Sequence, residues 1–390
     1  VGNRRACLPI VLLSVLKPLM EDPKKIKIGH VVKGDVRWIA NANVGIHVAD
    51  PLVDTVVMSI REHSDRPNHQ LKFLISDGLF TPTDDRYMKY PSFSELYNPK
   101  DYLKEMLRLE NRDKVVDYCS ADAWATLVVK KELEKRLSAL PAIGGRTMWQ
   151  LFLELEVPLT RVLYDYERTG FPLDVDYLNN VRTPIRHDYE NLVKEIAMET
   201  GTAINPMSNP QVAELLFGKL GYKPVKYTSG GRKGIRAPSV DEKVLKTLIA
   251  KGGEHAGVVQ KILNCHGLSK VGGTYVDGMI KMVSPYGRIH TTINQGIAET
   301  TRLSSSAPNL QNLPARPEKL GAKYKLRKAF RAPEGWSVVD YDFDQVEMKL
   351  MAAMGPDETM LQMINSGKDI HCFTAGRVFK HGTYDEYVAA

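Results

Sequence analysis

The spacing of hydrophobic residues changes along the chain, and this change constrains the fold more than any other feature of the sequence. Up to about residue 145, short apolar runs alternate with segments of helical spacing, a pattern that indicates an α/β unit. Helical spacing then dominates to about residue 282, and short strands with irregular loops follow Pro285. Helical spacing returns from about Val346. These changes within 390 residues predict an α/β multidomain protein.

Two helices are predicted from their apolar spacing. Near the N-terminus the spacing predicts a core-facing helix at Leu12, Val15, Leu16 and Leu19. A signal peptide is the less favoured alternative, because Pro9 interrupts the run and no small-residue cleavage site follows. Between residues 151 and 168 the predicted apolar face contains Leu151, Leu155, Leu159, Val162, Leu163 and Tyr166. Gly170 then predicts the end of that helix.

Cysteine usage and hydropathy exclude several classes of protein. The four cysteines are far apart and form neither a CxxC motif nor a zinc-type cluster, which argues against a disulfide framework and a structural zinc. No apolar run approaches the roughly 18 residues of a membrane span. We therefore expect a cytoplasmic location and no membrane partner.

Basic residues are concentrated in two windows of the sequence. The formal net charge is only +7, but residues 219–236 hold six basic residues and no acid, and residues 315–331 hold seven basic residues and one acid. The rest of the chain is therefore mildly acidic. Solvated surfaces explain either window alone, whereas phosphate contacts better explain two such loops together, with an affinity that falls steeply with salt.

A row of hydrogen-bonding side chains occupies residues 298–316, AETTRLSSSAPNLQNLPAR. Prolines interrupt the segment and predict an irregular backbone. Such a row suits contact with phosphates, sugar edges and the minor-groove acceptors that all base pairs share. An ordinary polar surface loop fits the same pattern.

The segment TTRLSSSAPNLQNLP resembles the TGRLSSSxPNLQNIP motif of the family-A DNA polymerases, and the preceding GRIHTTINQ resembles their GRIHTxFNQ. The later segment VVDYDFDQVEMKLMAAM resembles their motif A, a hydrophobic strand that ends in DYSQIELR. By alternation, Asp340, Asp342 and Asp344 would share one strand face, so periodicity does not choose among them. The spacing to Gln345 and Glu347 matches the motif only if Asp342 is its aspartate.

This resemblance implies the roles of several residues in polymerisation. Asp342 is implied to be catalytic and to bind two Mg²⁺ ions that activate the primer 3′ hydroxyl and steady the triphosphate of a dNTP. Gln345 and Glu347 are implied to contact the nucleotide, and Glu347 to exclude ribonucleotides. Three positions depart from the family pattern: Thr301, Lys349 and Ala353.

The same resemblance implies a surface for primer-template DNA. Arg302 is implied to reach the minor groove at the primer terminus. The middle region resembles the thumb motifs of the family, including LSKVGGTYVDGMI, and a basic loop at residues 226–236 would be the thumb tip. The further residues with implied DNA contacts are Asn309, Gln311, Asn312, Arg316, Lys270, Thr274, Arg232 and Lys233. A plain amphipathic helix end is the alternative for Lys270 and Thr274.

The N-terminal region resembles the 3′→5′ editing exonuclease of the family, an RNase H-like domain. IKIGHVVKGDVRWI resembles its second motif and makes Asp35 a metal ligand, with Val31 where the motif has Asn. DYCSADAWAT resembles the third motif, with Tyr118 orienting the attacking water and Asp122 binding metal. No Asp-x-Glu of the first motif occurs in the first thirty residues, so we expect impaired hydrolysis.

The resemblance implies four consecutive regions: an incomplete exonuclease domain at 1–145, a helical thumb at 146–282, the first part of an α+β palm at 283–353 and the start of the fingers at 354–390. The lysine-bearing fingers helix and the His-Asp-Glu strand are not recognisable, so we expect these 390 residues alone not to polymerise. A split polymerase half that only binds DNA, and a stand-alone exonuclease, are the alternatives. The expected partner is primer-template DNA. Further candidate partners are a processivity factor and the missing polymerase portion. The expected location is the cytoplasm of a bacterial or phage-infected cell.

Overall fold

The computed structural model describes residues 10–41, 45–76, 108, 111–228, 236–298, 300–314, 320–379 and 386. The chain forms two compact units, Val1–Arg331 and Ala332–Ala390. Their boundary falls within the region predicted as palm. The division into four domains stays a prediction.

The first unit begins with alternating helices and short strands, as its hydrophobic pattern predicts. Strands β1 (Lys27–Gly29) and β2 (Leu52–Asp54) pair in parallel, with Ile28 opposite Val53. The helices around them are α1 (Ile10–Glu21), α2 (Val32–Asn41), α3 (Thr55–Glu62), α4 (Leu71–Ser76) and α5 (Arg112–Ala139). A hydrophobic cluster holds α3 and α4 against α5 through residues such as Met58, Leu74 and Leu133.

The middle of the chain is helical. Two α-helical segments, α6 (Met148–Leu151) and α7 (Val157–Thr169), flank a π-helical turn at Phe152–Glu156. The helices that follow are α8 Val175–Thr200, α9 Asn209–Ala213, α10 Glu242–Lys251, α11 Ala256–Ser269 and α12 Gly278–Met282. The long helix α8 packs against α11. Two more π-helical segments occupy Glu214–Lys219 and Lys270–Asp277.

Four further short strands form two antiparallel pairs. β3 (Phe171–Pro172) pairs with β4 (Arg288–Ile289), and β5 (Thr292–Asn294) pairs with β6 (Ser304–Ser306). A hydrophobic cluster that includes Leu178, Val276 and Leu326 packs the first pair on the helices. Two 3₁₀ turns follow at Leu320–Tyr324 and Leu326–Ala329.

The second unit contains three helices in its described part. They are α13 (Val346–Met354), α14 (Glu358–Asn365) and α15 (Ile370–Phe379). Asp357 caps α14 by accepting a hydrogen bond from the Met360 N–H. The return of helical spacing at Val346 is thus confirmed as a helix start. None of the helices described in either unit is long and apolar enough to cross a bilayer.

The predicted faces of two helices are partly wrong. In α1, Leu16 packs against the core, whereas Val15 and Leu19 are exposed. The helix ending at Gly170 exists as predicted, but Leu155, Val162 and Tyr166 are exposed. Leu163 is buried as predicted, but the buried face of α7 also carries two polar side chains, Thr160 and Glu167. Both are hydrogen-bonded, and paired polar groups can occupy a buried face that periodicity does not assign to them.

The strand expected at motif A is a further difference. Residues 336–343 have no helix or strand assignment, and Val338, Val339, Tyr341 and Phe343 are exposed. Within the described residues no strand pairs with this segment. Because a strand is stabilised by its ladder with a neighbour, alternating hydrophobicity alone does not make one.

Candidate functional site

Asp35 lies in the first turn of α2, immediately after strand β1. Its carboxylate crowds the end of that strand, because a Cβ placed on Gly29 would come within 2.9 Å of Asp35 Oδ2. The same Cβ would also come within 2.9 Å of the Val32 Cα, which cannot move aside, so glycine is required at position 29. Burial, followed by the negative charge of Asp54, raises the pKa of Asp35 to about 6.

Asp54 is a buried carboxylate that sequence reasoning missed. It accepts hydrogen bonds from the backbone N–H groups of Val31 (3.1 Å), Val32 (2.9 Å) and Val56 (2.9 Å). It thereby caps α3 and also fixes the start of α2, which carries Asp35. Burial raises its pKa. An aspartate between the short apolar run at 52–53 and the helical segment that follows is an N-cap signal that could have identified it.

Tyr118 and Asp122 lie one turn apart on α5, as the four-residue spacing predicts. The Tyr118 hydroxyl is hydrogen-bonded to the Asp122 carboxylate, and burial with this negative charge raises the pKa of the phenol well above its ordinary value. Lys72, on α4, places its Nζ 4.5 Å from the centroid of the Tyr118 ring. This lysine was not identified from the sequence.

The carboxylates are of the donor type that magnesium prefers, since it is a hard cation bound by oxygen ligands. Asp35 lies near Asp54, and Asp122 is hydrogen-bonded to Tyr118. Among the described residues, however, no three acidic, histidine or cysteine side chains converge on a point where a metal ion would fit. The donor chemistry therefore fits a magnesium ion, while no coordination geometry follows from the structure.

The described part of the polar row, residues 300–314, extends the β5–β6 hairpin, and its own side chains hold it in shape. The Ser305 N–H donates to Gln311 Oε1 at 2.9 Å, and Gln311 Nε2 donates to the Leu303 carbonyl at 3.1 Å. Asn309 Oδ1 accepts from the N–H groups of Gln311 and Asn312, at 3.1 and 3.2 Å. Asn309 and Gln311 therefore shape this row of residues, in addition to any contact with DNA.

Arg302 and Asn312 have exposed side chains on this hairpin. Thr301, where the family motif has glycine, adopts a left-handed backbone with φ 58°. Arg316, predicted to contact DNA, lies outside the described residues. The exposed arginine and amide of the hairpin form a polar surface suited to a sugar-phosphate backbone.

A buried ion cluster ties this hairpin to the helix of Asp35. Glu167, only 1% exposed, accepts hydrogen bonds from Lys33 Nζ and Arg37 Nη2, each at 2.6 Å. Its Oε1 also accepts the Ile293 N–H of strand β5 at 2.7 Å. One side chain on α7 thus contacts both α2 and the β5–β6 hairpin.

The predicted thumb residues lie on the helical surface. Lys270 and Thr274 are exposed, four residues apart, in the π-helical segment Lys270–Asp277. In the predicted tip loop, Thr228 and Ala237 exchange hydrogen bonds where the two arms meet. Arg232 and Lys233 fall outside the described residues.

In the second unit, Asp342 is exposed, as are Asp340 and Asp344. Gln345 begins α13 with a left-handed backbone, and its Nε2 donates to Asp369 Oδ2 at 2.8 Å. Glu347 lies exposed in the first turn of α13. The Gln345 side chain, predicted to contact nucleotide, is therefore hydrogen-bonded to an aspartate just before α15. The hydrogen bond from the Cys372 N–H, and to a lesser extent that from Gln345, holds the pKa of Asp369 below its usual range.

Carboxylates of the donor type that magnesium prefers, together with an exposed polar hairpin, fit a protein that acts on nucleic acid. The family model of DNA polymerase family A matches residues 175–387, and that of 3′-5′ exonuclease matches residues 4–138. The chain belongs to the family A DNA polymerases. The resemblance drawn from the motifs is thereby confirmed.

Relatives and solved structures agree with this assignment. DNA polymerase I of Chloroflexus aurantiacus is 31% identical over 94% of this chain and 37% of its own length. That of Pseudomonas aeruginosa is 30% identical over 94% of this chain and 38% of its own length. The chain thus spans less than two fifths of these relatives. The polymerase domain of Pol1 from M. smegmatis, in complex with DNA primer-template and dNTP, superposes with a TM-score of 0.68 at 25% identity, over 96% of this chain and 57% of that one.

Proposed function

We propose that the protein carrying these residues performs template-directed DNA synthesis with 3′→5′ editing, in DNA replication or repair in a bacterial or phage-infected cell. The observation that supports this most directly is the β5–β6 hairpin, whose shape depends on Ser305, Asn309 and Gln311. It presents Arg302 and Asn312 in the segment that resembles the primer-contacting motif. The structural relative bound to primer-template DNA supports the same substrate.

We propose a separate function for each of the four predicted regions. Residues 1–145 edit, 146–282 form the thumb on duplex DNA, 283–353 form the first part of the palm and 354–390 begin the fingers. Asp342 would hold Mg²⁺ in synthesis, and Asp35 and Asp122 would hold it in editing. Bound magnesium supplies activation of the attacking oxygen and stabilisation of charge on the phosphate. The protein orients the primer end, the nucleotide and, through Tyr118, the water.

Binding of primer-template DNA by the 390-residue chain tests the interface. Arg302→Ala is expected to weaken binding of a matched primer-template roughly tenfold, the usual cost of losing one specific groove contact. Arg146→Ala removes an exposed arginine that pairs with Glu154 outside the hairpin, and it serves as the matched control. Equal affinities of the two variants would contradict the assignment of Arg302.

Two substitutions in the whole enzyme test the roles in synthesis. Asp342→Ala is expected to abolish primer extension while leaving primer-template binding nearly intact, because a metal ligand acts on the reaction and not on the duplex. Glu347→Ala is expected to admit ribonucleotides more readily. A large loss of DNA binding, or unchanged sugar selectivity, would remove the respective residue from its role.

A further inference from the structure

The ammonium group of Lys72 is buried and has no hydrogen-bond acceptor among the described residues. Its Nζ is shielded from solvent, and it lies 4.5 Å from the centroid of the Tyr118 ring. A lysine ammonium has three N–H donors, and burying a charge without acceptors is costly. The ring face compensates only part of that cost. The position therefore favours an additional, anionic partner.

The groups beside Lys72 indicate what that anion is. Tyr118 donates its hydroxyl to Asp122. The Tyr118–Asp122 pair therefore presents a negative charge, which does not neutralise a phosphodiester. Lys72 supplies the missing positive charge next to the pair. An ammonium is a compact point charge and a common phosphate ligand in proteins.

We propose that Lys72 binds a backbone phosphate of a single-stranded DNA 3′ end at the Tyr118–Asp122 pair. The proposal rests on the editing function proposed above and adds to it a residue that contacts the substrate. The phosphate satisfies the Lys72 N–H groups and brings the terminal nucleotide to the side chains that orient water. Lys72 is thus a substrate-binding residue from a helix that the family motifs do not include.

The test measures binding of the 390-residue chain to a short single-stranded DNA with a free 3′ end, over a series of salt concentrations. Ca²⁺ replaces Mg²⁺, so that the carboxylates can bind a hard cation without hydrolysis consuming the DNA. The comparison ligand is the same sequence closed into a circle, which has the same phosphates and no 3′ end. Wild-type protein is expected to prefer the free end.

Lys72→Met is expected to weaken binding of the free end about tenfold, as for the loss of a charged hydrogen bond. It should also reduce the slope of log K against log salt by roughly 0.7, the value for one phosphate contact on a single strand. Lys72→Gln should give the same loss of slope, and Lys72→Arg should restore it. Lys131→Met removes an exposed charge from α5 and is the matched control.

Two results would overturn the proposal, and they are distinguishable. If wild-type protein does not prefer the free 3′ end, both the editing function and the role of Lys72 fail. If it does, but Lys72→Met keeps the wild-type slope or loses no more than Lys131→Met, the editing function stands and Lys72 is not its phosphate ligand.

Discussion

Val31 is a β-branched residue with a left-handed backbone, φ 68°, at the turn between β1 and α2. Such residues rarely adopt this conformation, which costs roughly 1–2 kcal/mol, whereas asparagine tolerates it. Val31 is 55% exposed, so its side chain contributes little by burial. Val31→Asn is expected to stabilise the protein by about 1 kcal/mol, measured as a higher urea-unfolding midpoint.

A second valine provides the control for that prediction. Val116 is 53% exposed, but it lies within the regular helix α5. Valine and asparagine have similar helix propensities, so Val116→Asn should change the free energy of unfolding by no more than about 0.5 kcal/mol. If Val31→Asn leaves the midpoint unchanged or lowers it, backbone strain at Val31 does not limit stability.

His30 gives a prediction about pH. Its Nδ1 lies 2.9 Å from Thr55 Oγ1, and burial lowers its pKa to about 4, although a hydrogen bond with the His69 backbone opposes the shift. The unfolded chain, with a histidine pKa near 6.5, therefore binds more protons between pH 6.5 and pH 4. This contribution to stability is present above pH 6.5 and is lost as the pH falls through that window.

The measurement compares urea-unfolding midpoints at pH 7.5 and pH 4.5. The free energy of unfolding that is lost between these two pH values should be about 2 kcal/mol smaller in His30→Gln than in the wild type, because glutamine does not titrate. His47→Gln, at an exposed histidine, is the control and should keep the wild-type pH dependence. Equal curves for wild type and His30→Gln would show that His30 is not the titrating group.

At this scale the sequence identifies residue types better than their partners. Tyr118 and Asp122 were predicted to share a helix face, and they are hydrogen-bonded to each other. The structural role of Gln311 was not predictable, because its hydrogen bonds to Ser305 and Leu303 depend on how the chain folds back after β6. Lys72 and Tyr118 are 46 positions apart in the sequence, a separation that local patterns do not bridge.

At the level of elements, Glu167 joins three parts of the fold. Its carboxylate, on α7, accepts hydrogen bonds from two cationic side chains of α2 and from a backbone N–H of β5. Removing the charge leaves Lys33, which is nearly buried, without its counter-ion. Breaking a buried ion pair by removing one partner costs roughly 3–5 kcal/mol.

Glu167→Gln is therefore expected to destabilise the first unit by about 3 kcal/mol, seen as a lower urea-unfolding midpoint. Glu154→Gln is the matched control, since Glu154 pairs with Arg146 at an exposed site and should change stability by no more than about 1 kcal/mol. Similar effects of the two substitutions would mean that burial of Glu167 adds nothing to its ion pairs.

Helix positions followed from periodicity, but which face is buried did not always follow. In α7 the spacing alone could not show that Glu167 would turn inward, because its two cations lie more than 100 positions away. The segment before α13 shows the same limit for strands. Its alternation is clear, yet a strand needs a neighbour, and sequence alternation does not identify one.

At the scale of the whole molecule, the two units differ in how much core they contain. The first unit has several hydrophobic clusters, including one around Ile196, Leu216 and Ile262, each of which is almost fully buried. In the described part of the second unit, Ala352 and Ile370 are the buried residues. Since burial of apolar surface is the main stabilising term, the second unit should open far more readily than the first.

Hydrogen exchange of the intact chain measures this difference directly. Backbone amides of α13–α15 are expected to exchange at least about 100-fold faster than those of α8 and α11, corresponding to a difference of about 3 kcal/mol in the free energy of opening. The comparison is between helices, so hydrogen bonding of the backbone is alike and only the packing differs. Equal protection of the two sets would show that the second unit derives stability from a source other than its own buried side chains, and would argue against treating it as a separate folding unit.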